Sequence, residues 1–287
     1  MIVVSGANGQ LGRAVVDQLL DRVPAERVAA SVRDPDAAAD LTARGVRVRL
    51  GDFSRPDTLT DAFEGAQRVL VVSAGVLGEQ GLAHHRAAID AAVTAGAQRV
   101  VYTGHMGAGV SSAFPPMPLH AATRDALAAS GAAFTFLRNG FYTSSAVMLL
   151  GDAVRTGQLR LPADGPIAWT AHIDLAAAAA QALTGDDLHE DTAPLTGPAA
   201  LDMGEVAGIA AELTGQPIRR VVIDDDEYRA DLVRRGVPAV AADNLVGLFA
   251  AARQGDFSPA DPALGELLGR APSSVRDVLA ATLAPSH

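Results

Sequence analysis

The first half of the chain alternates short apolar runs with longer stretches of helical spacing, and this alternation constrains the fold more than any other feature. Apolar runs at 1–5, 27–32, 46–50, 69–73, 100–103 and 134–137 are separated by helical patterns at 11–20, 57–63, 81–95 and 120–130. Runs that are apolar on both sides of the pleat fit parallel strands covered by helices on both faces. Beyond Asn139 the alternation weakens, because Gly151, Gly157, Pro162, Gly165 and Pro166 break the chain into short pieces. Helical spacing returns at 173–183 and 203–214 around a turn-rich segment at 192–198, with a further strand expected at 219–223 and a mostly helical tail from Asp224.

Composition narrows the function classes. A chain of 287 residues with 49% hydrophobic content can bury a substantial core. A formal net charge of −10 argues against a nucleic-acid or anionic-membrane surface, since binding phosphates needs a concentrated positive field. There is no cysteine, which removes disulfides, thiolate metal sites and a cysteine nucleophile. All 23 basic residues are arginine, so a Walker-type lysine, a Schiff base and an ammonium proton relay are excluded. The first residues read as a buried strand rather than a signal peptide, and the apolar stretch 173–183 is shorter than the roughly 20 residues a bilayer span needs. A cytoplasmic protein without a membrane segment is expected.

Between the first strand and the first helix stands Gly6-Ala7-Asn8-Gly9-Gln10-Leu11-Gly12. Glycines at this place let the backbone turn tightly and approach a pyrophosphate, which the N–H groups and dipole of the helix start then bind. The position within βαβ units, rather than the glycines alone, makes Gly6, Asn8, Gly9, Gln10, Leu11 and Gly12 a dinucleotide site. After the second strand the chain reads Ser31-Val32-Arg33-Asp34. Arginine there pairs with a 2′-phosphate, so Arg33 favours NADP(H), while Asp34 leaves NAD(H) open. Asp52 and Phe53 after the third strand are placed to border the adenine, and Ser73, Ala74 and Gly75 after the fourth to pass beneath ribose and nicotinamide; either group can equally be a strand-ending turn. Thr103 and Gly104 end the fifth strand on the cofactor side, with His105 next to them. The expected fold class is α/β, a Rossmann-type doubly wound parallel sheet with a smaller C-terminal α/β lobe. Residues 1–150 form the NAD(P)-binding domain and 151–287 a substrate-capping lobe, with about 167–198 returning to the sheet.

The order of the glycine turn, Arg33, Gly51-Asp52-Phe53, Arg99-Val100-Val101-Tyr102-Thr103 and Leu137-Arg138-Asn139-Gly140-Phe141-Tyr142 resembles the NmrA-like atypical short-chain dehydrogenase/reductase family, in its branch of NADPH-dependent quinone oxidoreductases and triphenylmethane reductases. The resemblance continues through Trp169-Thr170-Ala171-His172-Ile173-Asp174 and Leu213-Thr214-Gly215, so nearly the whole chain takes part. The run around Asn139 is more specific than the glycine motif, which many dehydrogenases share. Ordinary short-chain dehydrogenases pair a tyrosine with a lysine four residues on, the ammonium lowering the phenol pKa. Here Tyr102, Tyr142 and Tyr228 are followed at that spacing by Met106, Ala146 and Leu232, and alignment places Pro116 and His120 at the tyrosine and lysine positions.

The resemblance implies an NADPH-dependent reductase that transfers hydride to a quinone or similar conjugated acceptor, a small-molecule partner for which orientation can suffice. His120 then anchors the nicotinamide ribose or relays a proton, Asn139 with Tyr142 orients the acceptor, and Asn139 also belongs to the cofactor-binding set. Phe141, Tyr142 and His105 are expected to line its pocket. Arg138 and Trp169 read better as a paired anchor and a core residue. No metal site is expected: adjacent His84 and His85 cannot share a helix face, and the acidic run from Asp224 to Glu227 reads as a solvated helix start. A homodimer is compatible with the sequence. The competing class is a non-enzymatic NADP(H)-binding redox sensor of the NmrA type, which also needs no tyrosine–lysine pair.

Overall fold

The structure, a computed structural model, describes residues 1–185 and 189–284. In chain order the elements are β1 (Ile2–Ser5), α1 (Gln10–Leu20), β2 (Val28–Val32), α2 (Ala39–Ala43), β3 (Arg47–Leu50), α3 (Asp57–Phe63), β4 (Arg68–Val71), α4 (Gly78–Thr94), β5 (Arg99–Thr103), α5 (Pro116–Ala129) and β6 (Phe134–Leu137). There follow β7 (Phe141–Tyr142), α6 (Thr143–Leu150), α7 (Ala153–Thr156), β8 (Gln158–Leu161), β9 (Trp169–Thr170) and α8 (His172–Thr184). The last elements are α9 (Met203–Thr214), β10 (Arg219–Val222), α10 (Asp225–Arg234), α11 (Ala239–Arg253), α12 (Ala263–Leu268) and α13 (Val275–Leu283). The chain forms two compact units: unit 1 holds residues 1–110, 118–139 and 172–193, and unit 2 holds 111–117, 140–171 and 194 onward. Of the segment expected to return to the sheet, residues 186–188 lie outside the described residues.

Unit 1 is an α/β Rossmann sheet of six strands in the order β3-β2-β1-β4-β5-β6, every pair parallel. The order reverses between β1 and β4, and such a reversal opens a crevice at the carboxyl ends of the strands. Side chains alternate across the sheet. Val3, Val69, Val71, Val100, Tyr102 and Phe136 share a core with Leu59, Phe63, Ile89 and Leu127 of α3, α4 and α5. On α8, every alanine from Ala176 to Ala180 is buried, and the helix packs against α1, β4 and β5. Short side chains allow that close approach.

The helix expected at 120–130 begins a turn earlier, at Pro116. Pro116 and Pro118 lie in its first turn, where backbone N–H groups have no intrahelical acceptor, so the rings remove no helical hydrogen bond. The short helix α2 and the two-residue strands β7 and β9 carry too little periodicity to be read from sequence. The acidic run does start a helix, α10, with Asp224 as its N-cap.

Unit 2 contains two small parallel pairs, β7 with β9 and β8 with β10. Its core gathers Phe141, Trp169, Met203, Phe249 and Phe257. Helices α9 and α13 open with capping boxes, Asp202 with Glu205 and Ser274 with Asp277, which fix their starts. Among the described residues no helix is long and apolar enough to cross a membrane.

Candidate functional site

In unit 1 the predicted cofactor residues from different strands meet at one edge of the sheet, each group following the carboxyl end of a strand: the glycine turn after β1, Arg33 after β2, Asp52-Phe53 after β3, Ser73-Ala74-Gly75 after β4, Thr103-Gly104 after β5 and Asn139 after β6. The turn is built by two glycines with separate reasons. Gly6 has φ +62°, a conformation that side chains disfavour. Gly12 sits where an added Cβ would stand 2.4 Å from the Gly6 carbonyl oxygen, so only glycine lets α1 start this close to β1. Leu11 is buried in the core, whereas Gly6, Asn8, Gly9 and Gln10 are exposed along the turn. The N-cap of α1 is Gly9, which offers no capping side chain to the first-turn N–H groups. That start fits an anion such as pyrophosphate.

Asn8 Nδ2 donates to the Asp34 carbonyl at 2.9 Å and thereby ties the glycine turn to the loop after β2. In that loop Asp34 Oδ1 accepts from the backbone N–H groups of Asp36 and Ala37 at 3.1 and 3.4 Å, so its carboxylate braces its own turn. Arg33 is exposed and makes no hydrogen bond or ion pair among the described residues. It lies near enough to Asp52 to lower that carboxyl's pKa, although the backbone N–H of Ser54 is the larger cause. Asp52 Oδ1 accepts from Ser54 N and Ser54 Oγ at 2.9 and 2.8 Å, and Phe53 is half-buried against the core. An available guanidinium beside a committed Asp34 fits a 2′-phosphate better than a bare 2′-hydroxyl.

The end of β4 is tied to β5 on one side and to β1 on the other. Ser73 N donates to Thr103 Oγ1 at 2.8 Å, and Val72 N to Ser5 Oγ at 2.9 Å. Gly104 lies over the Phe136 ring, where an added Cβ would come within 2.2 Å. His105 is buried, accepts from Gly107 N through Nδ1 at 3.1 Å, and has its pKa lowered to about 3 by desolvation. Its ring stacks on that of His120 with centroids 6.1 Å apart. His120, partly exposed on α5, is held well below its ordinary pKa by desolvation first and by His105 and His85 next. Both rings are therefore neutral at physiological pH.

Sequence reasoning missed the residues behind His120. The Tyr102 hydroxyl lies 3.0 Å from His120 Nδ1 and 3.4 Å from His85 Nδ1. His85 Nδ1 lies 2.9 Å from Thr123 Oγ1, while its Nε2 accepts from Ala74 N at 3.0 Å. His85 is fully buried on α4 and its pKa falls to about 4, chiefly through desolvation. Strand parity was the available signal: Tyr102 shares the parity of Val100 and so faces α4 and α5.

Asn139 is almost fully buried, and its backbone carbonyl accepts from Met106 N at 2.9 Å. Its side-chain Oδ1 is buried without a hydrogen-bond partner, an arrangement that a donor from a bound molecule would complete. Arg138 is an anchor: its N–H donates to Thr192 Oγ1 and its guanidinium to the Met106 carbonyl, at 2.9 and 3.1 Å. A surface groove of about 810 Å³ along α3 and α4, lined by Thr60, Glu79, Arg86 and Asp90 among others, shares no residue with this set. The polar groups converge elsewhere, at the carboxyl ends of the strands.

In unit 2, Phe141 and Tyr142 lie on β7. Phe141 is buried, edge-on to Trp169 and Phe257 at centroid distances of 5.5 and 5.2 Å, which makes it a core residue of that unit. Tyr142 is partly exposed, and the next residue, Thr143, has a buried hydroxyl without a hydrogen-bond partner. Trp169 is fully buried and donates from Nε1 to the Leu201 carbonyl at 2.9 Å, a core role.

A parallel sheet of this order with a glycine turn at its switch point defines a dinucleotide-binding α/β protein. Consistent with that, residues 6–186 match the NAD(P)H-binding family, and the chain belongs to it. It is 31% identical over 273 residues to quinone oxidoreductase 2 of Escherichia coli, covering 94% of each chain. A crystal structure of an NADPH-dependent quinone oxidoreductase from E. coli complexed with NADPH superposes with a TM-score of 0.92 at 30% identity, covering 99% of this chain and 100% of that one. Triphenylmethane reductase of Citrobacter sp., complexed with NADP(H), gives a TM-score of 0.90 at 29% identity over 98% and 99% of the two chains. The chain thus belongs to the NmrA-like oxidoreductases, with a quinone oxidoreductase and a triphenylmethane reductase among its relatives.

Proposed function

We propose that this protein is an NADPH-dependent reductase of quinones or similar conjugated acceptors. The observation that carries the reading is the convergence, at the switch point of the sheet, of an uncapped glycine-rich helix start, an available Arg33 and the buried Asn139 Oδ1. The whole-length likeness to reductases of such acceptors supports it. In this reading the glycine turn receives the pyrophosphate, Arg33 the 2′-phosphate, and Ser73, Ala74, Gly75, Thr103, Gly104, His120 and Asn139 border the nicotinamide half. Bound NADPH supplies the hydride. Acceptor, hydride and one proton from solvent together balance the two-electron reduction of a quinone to a hydroquinone, so no strong acid is required of the chain.

We assign His120 to hold the ribose or acceptor oxygen, Asn139 to orient both, and His105 and Tyr142 to the acceptor side. A sensor without turnover is not favoured, since the relatives are reductases by name. A cytoplasmic location and a homodimer complete the reading, the latter to be measured by sedimentation velocity. Steady-state NADPH oxidation with benzoquinones, naphthoquinones and a triphenylmethane dye tests the function. Saturable turnover with at least one acceptor is expected. Tight cofactor binding with no turnover on any of them would overturn it.

A further inference from the structure

The neighbours of Tyr102 determine which nitrogen of His120 carries its proton. Ala74 N–H donates to His85 Nε2 at 3.0 Å, so that nitrogen is an acceptor and the proton of neutral His85 sits on Nδ1. His85 Nδ1 lies 2.9 Å from Thr123 Oγ1, whose own hydrogen is given to the Leu119 carbonyl at 2.8 Å; the threonine oxygen therefore accepts from Nδ1–H. The same Nδ1–H faces the Tyr102 oxygen at 3.4 Å, and toward it the phenol oxygen can only accept. Of the two imidazoles beside the phenol, the one left to receive the Tyr102 proton is His120, through Nδ1 at 3.0 Å. A neutral imidazole that accepts at Nδ1 carries its proton on Nε2.

We propose that Tyr102, itself held by His85, is a positioning residue that fixes His120 in the Nε2–H tautomer, so that His120 presents a hydrogen-bond donor at the nicotinamide end of the site. The chain starts from Ala74 in the loop after β4 and runs through His85 on α4 to Tyr102 on β5, and His85, Tyr102 and Thr123 are fully buried. The bonds among His85, Tyr102 and Thr123 are shielded from water, and the chain is anchored on the Ala74 N–H and the Leu119 carbonyl. The tautomer has a chemical consequence. Nε2–H can donate to a ribose hydroxyl or to the oxygen of an acceptor on which negative charge develops, and it cannot take a proton from an alcohol. A donor is also what an ammonium offers at this helix position, and the neutral ring supplies it without burying a charge. The catalytic meaning of the device rests on the reductase reading, whereas the tautomer does not.

The test is imidazole proton–nitrogen correlation NMR on the full-length ¹⁵N-labelled protein at pH 7.5, with and without NADPH, in wild type and Tyr102→Phe. Wild type should show His120 with an acceptor-type Nδ1 and a protonated Nε2. In Y102F, which keeps the ring and loses only the hydroxyl, His120 should move toward a mixture of tautomers, and kcat for quinone reduction should fall about tenfold, the effect of losing one ordinary hydrogen bond. Protonated Nδ1 in wild type, or His120 shifts unchanged in folded Y102F, would overturn the proposal. The wild-type spectrum decides the tautomer even if Y102F fails to fold. The expected tautomer in a protein that reduces no acceptor would sustain the positioning device and sink the reductase reading.

Discussion

Arg33 and Asp34 are adjacent, and their side chains behave differently for a local reason. Asp34 caps the turn that follows it through Oδ1, while Arg33 has no partner among the described residues and stands in the field of Asp52. A charged hydrogen bond is worth roughly 1.5–3 kcal/mol, so Arg33→Ala should weaken NADPH binding by about ten- to a hundredfold and leave NADH binding nearly unchanged. Isothermal titration with both nucleotides reads the difference, and equal losses would remove the 2′-phosphate role. The choice between the two residues was half legible in sequence: position identified Arg33, but only the hydrogen bonds of the loop showed that Asp34 is committed to its own backbone. The same holds at His85, which looked like one half of an unpromising histidine pair until the structure set it behind Tyr102.

Elements were legible in proportion to their periodicity. Long, strongly patterned pieces such as α1, α3, β6 and α9 lie where apolar spacing places them, because one face of each must be buried. Helix α5 was read one turn short, since proline counts against a helix interior and not against a helix start. Helix α8 shows what spacing cannot convey: its alanines are buried on all sides rather than along one stripe, because β4, β5 and α1 all press on it. Introducing a larger side chain there should be costly. Ala178→Leu is expected to lose about 1–3 kcal/mol through overpacking, measured as a shift in the urea midpoint at unchanged m. A neutral result would mean that α8 has room to spare.

At the scale of the whole molecule, buried neutral histidines link stability to pH. His85 and His105 titrate at about 4 and about 3 in the folded protein, against 6.5 when unfolded. Between those values the unfolded chain binds more protons, so the stability these residues allow is complete above pH 6.5 and is lost as pH falls toward 4 and 3. Each contributes a slope approaching about 1.4 kcal/mol per pH unit in that window. Urea unfolding at pH 7.5, 6 and 5 should show a falling free energy; a flat profile would mean that both rings take up protons in the fold as readily as in the unfolded chain. The depressed carboxylates, Asp52 among them, act below pH 3.8 and leave this window to the histidines.

What the sequence by itself determined is the part governed by local rules. Alternating apolar runs require a parallel α/β sheet, a glycine turn between its first strand and helix provides for a dinucleotide, and a chain without lysine has no tyrosine–lysine dyad. Tertiary structure decided which distant side chains meet: Tyr102 from β5, His85 from α4 and His120 from α5 come within hydrogen-bonding reach although up to 35 positions separate them in the chain. It also decided that Asn139 is buried with an unsatisfied oxygen and that Phe141 belongs to a core. Hydrogen bonding and burial depend on what packs around a residue, and that packing is a property of the folded sheet and its helices rather than of any short stretch of sequence.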